Sequence, residues 1–407
     1  MVVLSNNDGC AIARSNEAKA LGVKMGHPWH QIRHLEDEAG LVALSANFAL
    51  YGDMSDRMMS LAAGMGPTQE IYSIDESFIG LDGVRGDLKA RALAIRSRIY
   101  RWVGIPCGVG IGPTKTMAKL ANHIAKTAER KPGSYPESHA QVCDLSKASP
   151  EEFEALLSAT EVGDVWGVGR KIGSALTEAG VLTAWDLARM DPAVAKRRWS
   201  VVLERTVREL QGVPCVGFED HPQPKKQIAC TRSFGRSVEE IGPLIEAVSE
   251  FASRAAEKLR AQGGVAAEVL VFIRTSPFRK DPQYSKSMIV PMRRPSSDTT
   301  AIVQAAIMGL RSIYQPGFKL AKAGVMLLDL APSCREQFEL DLGEPEQERD
   351  RARLMQALDA VNGRWGRGVL KVASGKVGSA PRAWSMKQDR KSPDYTTSWE
   401  AMPTARA

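Results

Sequence analysis

Cysteine is sparse and unpaired in this sequence. Cys10, Cys107, Cys143, Cys215, Cys230 and Cys334 are scattered, with no C-x-x-C and no histidine at ligand spacing. That argues against a zinc site or a disulfide framework and fits a reducing cytosol. Long apolar runs are missing too, so no segment is expected to cross a membrane. The opening MVVLSNNDGCAIA reads as a strand already under way, not as a secretory leader. No internal repeat is visible. A P-loop is also absent: in GVGIGPTKT, Pro113 and Thr114 separate Gly112 from Lys115, where the motif needs Gly directly before Lys.

What is present describes a globular chain with an anionic partner. Its 407 residues suffice for two to four domains, and 43% hydrophobic with 25% charged residues is ordinary for a folded protein. The formal net charge is +7 and the pI about 9.0. Nucleic acid is the usual partner of such a surplus, although the charge alone is a weak argument.

Residues 1 to about 147 alternate strands and helices and read as one α/β unit. Val2 to Ser5 and Cys10 to Ala13 flank an Asn-Asp-Gly turn, and a helix carrying Glu17, Ala18 and Lys19 stops near Gly22. Met54, Met58, Leu61 and Met65 share one helical face, a core stripe. Residues 149 to 212 turn helical, and HPQPKKQ is a polar linker. From 228 to 330 the order is β-α-β-β-α-β, expected to form a small sheet with helices on one face. An acidic linker then leads to a helix with Leu354, Met355, Leu358 and Val361 on one side, and residues after about Gly375 look irregular.

Four stretches carry chemistry. EIYSIDESFIG sets the adjacent acids Asp75 and Glu76 at or beside a turn between two strands, where both can serve one site. Such a pair suits Mg²⁺ and two-ion phosphoryl transfer; an exposed hairpin turn is the plainer reading. The helix after GVGIG places Lys115, Lys119 and Lys126 on one face, either solvated or phosphate-binding. GVGRKIGSAL has the form of a helix-hairpin-helix, whose backbone N–H groups can meet nucleic-acid phosphate, or it is an ordinary helix joint. QFELDL, at 337 to 342, is an apolar island in acidic surroundings and reads as a docking motif or a short edge strand.

Together these stretches resemble the Y-family translesion DNA polymerases, and most nearly the subgroup of bacterial DNA polymerase V catalytic subunits and their plasmid-borne relatives. The carriers are VVLSNNDGCAIARSNEAKALGVKMG, YSIDES, GVGIGPTKTMAKLANHIAK, DVWGVGRKIG, VVLERTVRELQG and AGVMLLDL, with a tail, WSMKQDRKSPDYTT, like that subgroup's ending. The resemblance covers essentially the whole chain. It implies an α+β multidomain fold, a right-hand polymerase with fingers (1–46), palm (47–147) and thumb (148–222). A little finger (228–330), an acidic linker (331–350) and a C-terminal extension (351–407) would follow.

By the same resemblance, Asp75 and Glu76 would be catalytic and bind two Mg²⁺ ions, with Asp75 bridging them. Lys19 and Lys126 would neutralise the incoming dNTP, while Asn16 stands where other branches often carry tyrosine. Gly167, Gly169, Arg170 and Lys171 would hold duplex backbone, and Thr231, Arg232 and Ser233 would grip primer-template DNA. Gln337, Phe338, Leu340 and Leu342 match the loose pattern that docks on the sliding clamp. The implied setting is error-prone synthesis in the bacterial SOS response, nucleoid-associated in the cytoplasm. An accessory protein and a recombinase filament would be partners, and no membrane would be involved.

The departure is at the front. Family members begin with a strand carrying Asp-x-Asn-x-aromatic-aromatic, whose Asp is a third metal ligand; this sequence does not contain it. Asp8, Asp53 and Asp56 are not convincing substitutes. The expectation is therefore an incomplete site, explained by a start further upstream, by a fragment, or by a non-catalytic DNA- and clamp-binding scaffold. Retention of both Asp75 and Glu76 counts against the scaffold.

Overall fold

The computed structural model describes residues 1–219, 224–334, 351–366, 368–372, 374, 382 and 384–404. Three short strands open the chain: β1 (Val2–Leu4), β2 (Ala11–Arg14) and β3 (Ala43–Ser45), in the order β2-β1-β3. β1 runs antiparallel to β2 and parallel to β3. Next come a hairpin, β4 (Thr68–Ile71) with β5 (Ser77–Gly80), and a parallel pair, β6 (Val109–Ile111) with β7 (Val142–Asp144). The last sheet holds β8 (Ile228–Val238), β9 (Gly264–Thr275), β10 (Ser285–Ser296) and β11 (Leu320–Pro332), all antiparallel in the order β10-β9-β11-β8.

Contacts gather these elements into two units, Met1–Asn47 with Gln223–Pro393, and Phe48–Pro222 with Asp394–Ala407. The first 147 residues are thus not held as one α/β unit. Among the described residues, the β1–β3 ladder shares no strand pairing with β4 to β7.

In the first unit, the helices Ile241–Ala261 and Thr299–Ile313 cover one face of the four-stranded sheet, as the β-α-β-β-α-β order implies. Leu244, Phe251, Leu259, Val271, Ile302, Leu310 and Val325 are buried between them. The 228–238 strand alternates accordingly: Ile228, Cys230 and Phe234 are buried on the helix side, while Ala229 and Thr231 are exposed. The helix Ala352–Trp365 buries Met355. Leu354, expected on the same side, is 58% exposed, because at one residue's remove it lies about a quarter-turn around the helix.

The second unit sets the helices Phe48–Ala63 and Leu88–Val103 against the hairpin and the β6/β7 pair, with Met58, Met65, Ile95, Ile99 and Val142 in the core. The helix Lys115–Arg130 lies on β6 at close range. A Cβ on Gly110 would sit 2.2 Å from Ala118 O and Asn122 N. The glycines of GVGIG therefore let a strand touch a helix backbone, and this packing, not phosphate binding, accounts for the near-motif. The six cysteines are free thiols, and burial pushes Cys143 up to about 12, so it is a poor nucleophile.

Candidate active site

The acidic pair lies in the turn between β4 and β5, where the backbone is pinned from two sides. Tyr72 N and Ser73 N both donate to Glu76 O at 3.0 Å, and Ser55 Oγ, from the helix Phe48–Ala63, donates to Ile74 O at 2.5 Å. The turn breaks strand alternation, so neighbouring side chains are freed from pointing to opposite faces. Asp75 is exposed; its Oδ1 accepts from Ser73 Oγ at 2.7 Å, and among the described residues it has no cationic partner.

Glu76 is held differently. Its Oε2 meets Lys119 Nζ at 2.5 Å, and its Oε1 lies 3.9 Å from Lys126 Nζ. Lys119 stands over the rings of Tyr72 (5.1 Å) and Trp166 (6.0 Å), and Trp166 Nε1 donates to Tyr72 OH at 3.2 Å. The aromatic floor excludes water below the ammonium, which strengthens its pull on the carboxylate above. In the sequence Lys119 shares only a helical face with Lys115 and Lys126, and nothing marks Tyr72 or Trp166 for a role. The i, i+4 spacing was the available signal for Lys119; none pointed to Trp166, which is distant in sequence.

Lys115 leaves the basic face altogether. It is buried, meets Glu70 Oε2 at 2.5 Å and Gly217 O at 2.7 Å, and lies over Phe78 and Phe218. Burial works to raise the Glu70 carboxyl, but the bonds from Lys115 and from Glu219 N outweigh it and hold it below the usual range. One lysine of the three is thus structural, and two converge on the acidic turn.

Hard oxygen donors on one exposed turn suit Mg²⁺, which takes one or two carboxylates and completes its shell with water and phosphate. Among the described residues, no third His, Cys, Asp or Glu joins Asp75 and Glu76. Asp8 accepts from Ser45 Oγ at 2.6 Å, and Asp53 from Arg57 at 2.8 Å.

The other expected site residues lie on other elements. Lys19 is exposed on the short helix Asn16–Ala20 and reaches Asn16 Oδ1 at 3.3 Å. Gly169 is the N-cap of the helix Arg170–Glu178, with Gly167 at φ +90° before it and Arg170 and Lys171 exposed. Thr231 and Ser233 take alternate positions on β8, whereas Arg232 is half-buried over the rings of Phe251 (5.7 Å) and Trp384 (5.3 Å). Gln337, Phe338, Leu340 and Leu342 lie outside the described residues.

Residues 1–123 match the impB/mucB/samB family, residues 225–340 its C-terminal domain, and residues 352–405 a domain of unknown function. Protein ImpB of Salmonella typhimurium is 40% identical over 409 residues, covering 100% of this chain and 93% of its own. Protein UmuC of Salmonella typhimurium strain LT2 is 40% identical over 400 residues, covering 98% and 92%. DNA polymerase IV of Pelotomaculum thermopropionicum is 25% identical over 370 residues, covering 88% and 84%. A solved Y-family DNA polymerase chimera of Dbh and Dpo4 superposes with TM-score 0.60 at 17% identity, over 82% of this chain and 92% of that one. At that identity the likeness speaks for the fold alone.

Proposed function

The chain belongs to the impB/mucB/samB family of Y-family DNA polymerases, and from that premise we propose that it extends primers past template damage by template-directed nucleotidyl transfer. The observation that carries this is the meeting of Glu76 with Lys119 and Lys126 at the turn that also carries Asp75. Acids alone would make a cation site; acids with two lysines beside them suit a metal–triphosphate, which brings both charges.

Asp75 and Glu76 would hold Mg²⁺, the donor set being of the right hardness. When bound, the ion supplies charge neutralisation to the transferring phosphoryl group. Lys126 and Lys119 would meet triphosphate oxygens as that charge arrives, and Lys119 would hold Glu76 in place until then. For Lys19 the triphosphate role rests on the resemblance alone. Gly167, Gly169, Arg170 and Lys171 would meet duplex phosphates through backbone N–H groups and cations, and Thr231 and Ser233 would lie along the template. Arg232 would join them, with its guanidinium held beside the rings of Phe251 and Trp384.

The test is primer extension by residues 1–407 with Mg²⁺ and dNTPs, on intact and abasic templates. Incorporation that follows the template base and requires the divalent ion supports the proposal and shows that the chain works without the third metal ligand that the resemblance implies. Tight primer-template binding with no incorporation overturns the proposal and leaves the DNA- and clamp-binding scaffold. The SOS setting, the accessory protein and the recombinase filament are part of the same proposal and rest on the resemblance alone. So does the sliding clamp: replacing Gln337 and Leu340 with alanine is expected to weaken capture by immobilised clamp at least tenfold, and undiminished capture removes that partner.

A further inference from the structure

The segment 384–393 has no regular secondary structure, yet its first residue is buried in one element and the rest is hydrogen-bonded to another. Trp384 is 1% exposed and sits in the core of the four-stranded sheet, edge-on to Phe251 at 5.7 Å. Ser385 O accepts from Gly235 N on β8 at 2.9 Å. From there the segment runs onto the first 47 residues. Lys387 N donates to Asn7 Oδ1 at 2.8 Å, while the same side-chain amide donates to Ser233 O and Phe234 O. Gln388 Nε2 donates to Ala46 O at 2.8 Å, and Asp389 N to Asp8 Oδ2 at 3.2 Å. Ser45 N donates to Arg390 O, Arg390 N to Ser45 Oγ, and Ser45 and Lys391 form a parallel bridge. The Arg390 guanidinium makes a two-point pair with Glu36, one arm at 3.0 Å, and lies 5.1 Å over the Trp29 ring. Asn47, 0% exposed, closes the run with bonds to Ser392 and Pro393 O.

Those 47 residues need such help. Three strands of three or four residues around Leu4, Trp29 and Leu41 make a core far smaller than independent folds of this size achieve without a disulfide or a metal. β3 is also the edge of its three-stranded sheet, where backbone groups need a partner from outside the sheet. The 384–393 segment meets both needs: it adds a strand-like partner to β3 and inserts an arginine against an acid and an indole.

We infer that residues 384–393 are a built-in peptide ligand for the first 47 residues, completing their sheet and clasping them to β8. This assigns a task to part of the stretch, 352–405, that matches a domain of unknown function. It does not depend on the polymerase reading, since no residue of the acidic turn takes part.

Two full-length variants test it by hydrogen exchange. Arg390→Ala removes the two-point pair and the stacking. Gly235→Ala leaves every polar partner but puts a Cβ 2.7 Å from Ser385 O, which forces the segment outward. In both, amides of Val2–Leu4 and Ala43–Ser45 are expected to exchange at least tenfold faster, while those of β9 and of the helix Lys115–Arg130 keep their rates. An excess of a synthetic 384–393 peptide is expected to slow the exchange again in Arg390→Ala. Unchanged exchange at β1 and β3 in both variants overturns the inference. So does an equal acceleration of every element, which would mark the segment as general packing.

Discussion

Replacing Asp75 with asparagine is expected to lower incorporation by roughly a thousandfold or more while leaving the fold intact. The reasoning starts from what Asp75 touches. Its side chain is exposed and accepts only from Ser73 among the described residues, so the nearly isosteric amide leaves packing and the Ser73 bond largely in place. What it loses is the charge and half the oxygen capacity that a hard divalent ion requires. A fall in rate with an unchanged melting curve and unchanged primer-template affinity therefore isolates the ion-binding role. Glu76 cannot give so clean an answer, because its removal also releases Lys119 from a 2.5 Å contact. Incorporation by Asp75→Asn within a few-fold of the parent would mean that the acidic turn is not where the chemistry happens. The nucleotidyl-transfer proposal would then have to move to other residues.

How much of this was legible in the sequence depends on the range of the interactions involved. The β-α-β-β-α-β order of residues 228–330 was readable because each element carries its own period, and a sheet with helices on one face follows from it. The acidic turn was visible as residues but ambiguous as chemistry. Deciding between a solvated turn and a site needed Lys119 and Lys126, which approach it only after a helix folds back from 43 residues away. The same distance hid the fate of Lys115. Its helical phase is that of Lys119, yet Glu70, Gly217 and Phe218 bury it. The half-burial of Arg232 was hidden for another reason, since alternation on a strand gives the side a residue takes only when one face is known to be covered. The clasp was the least legible feature. Its residues are polar and aperiodic, and its partners lie about 340 to 380 positions away, so no local signal could pair Arg390 with Glu36 or Lys387 with Asn7.

Glu209 was invisible in the same way, and its loss carries the largest expected cost in stability. It is 0% exposed and no lysine or arginine pairs with it among the described residues. Instead four donors meet its two oxygens: Thr116 N and Thr116 Oγ1 at Oε2, and Cys215 N and Val216 N at Oε1, all between 2.7 and 2.9 Å. Thr116 lies in the first turn of the helix that carries Lys119 and Lys126, where the macrodipole also favours a negative charge. Burial works to raise the Glu209 carboxyl, but the backbone bond from Cys215 and those from Thr116 and Val216 prevail and hold it below the usual range.

Glu209→Ala leaves two buried and two part-buried donors without their acceptor and is expected to cost on the order of 3–5 kcal/mol in denaturant unfolding. Glu209→Gln keeps one oxygen but turns an NH₂ toward two N–H or O–H donors, so about half that loss is expected. The pH dependence fixes the sign. Because the folded value is depressed, the stabilisation is fully present above the ordinary carboxyl value of about 4.5 and is lost as pH falls through the folded value. The gap between the parent chain and Glu209→Gln should therefore be constant near neutrality and close as the pH is taken below about 4.5. A gap that widened on acidification would mean that the carboxyl is protonated in the folded chain, and the capping of the lysine-bearing helix would need another explanation.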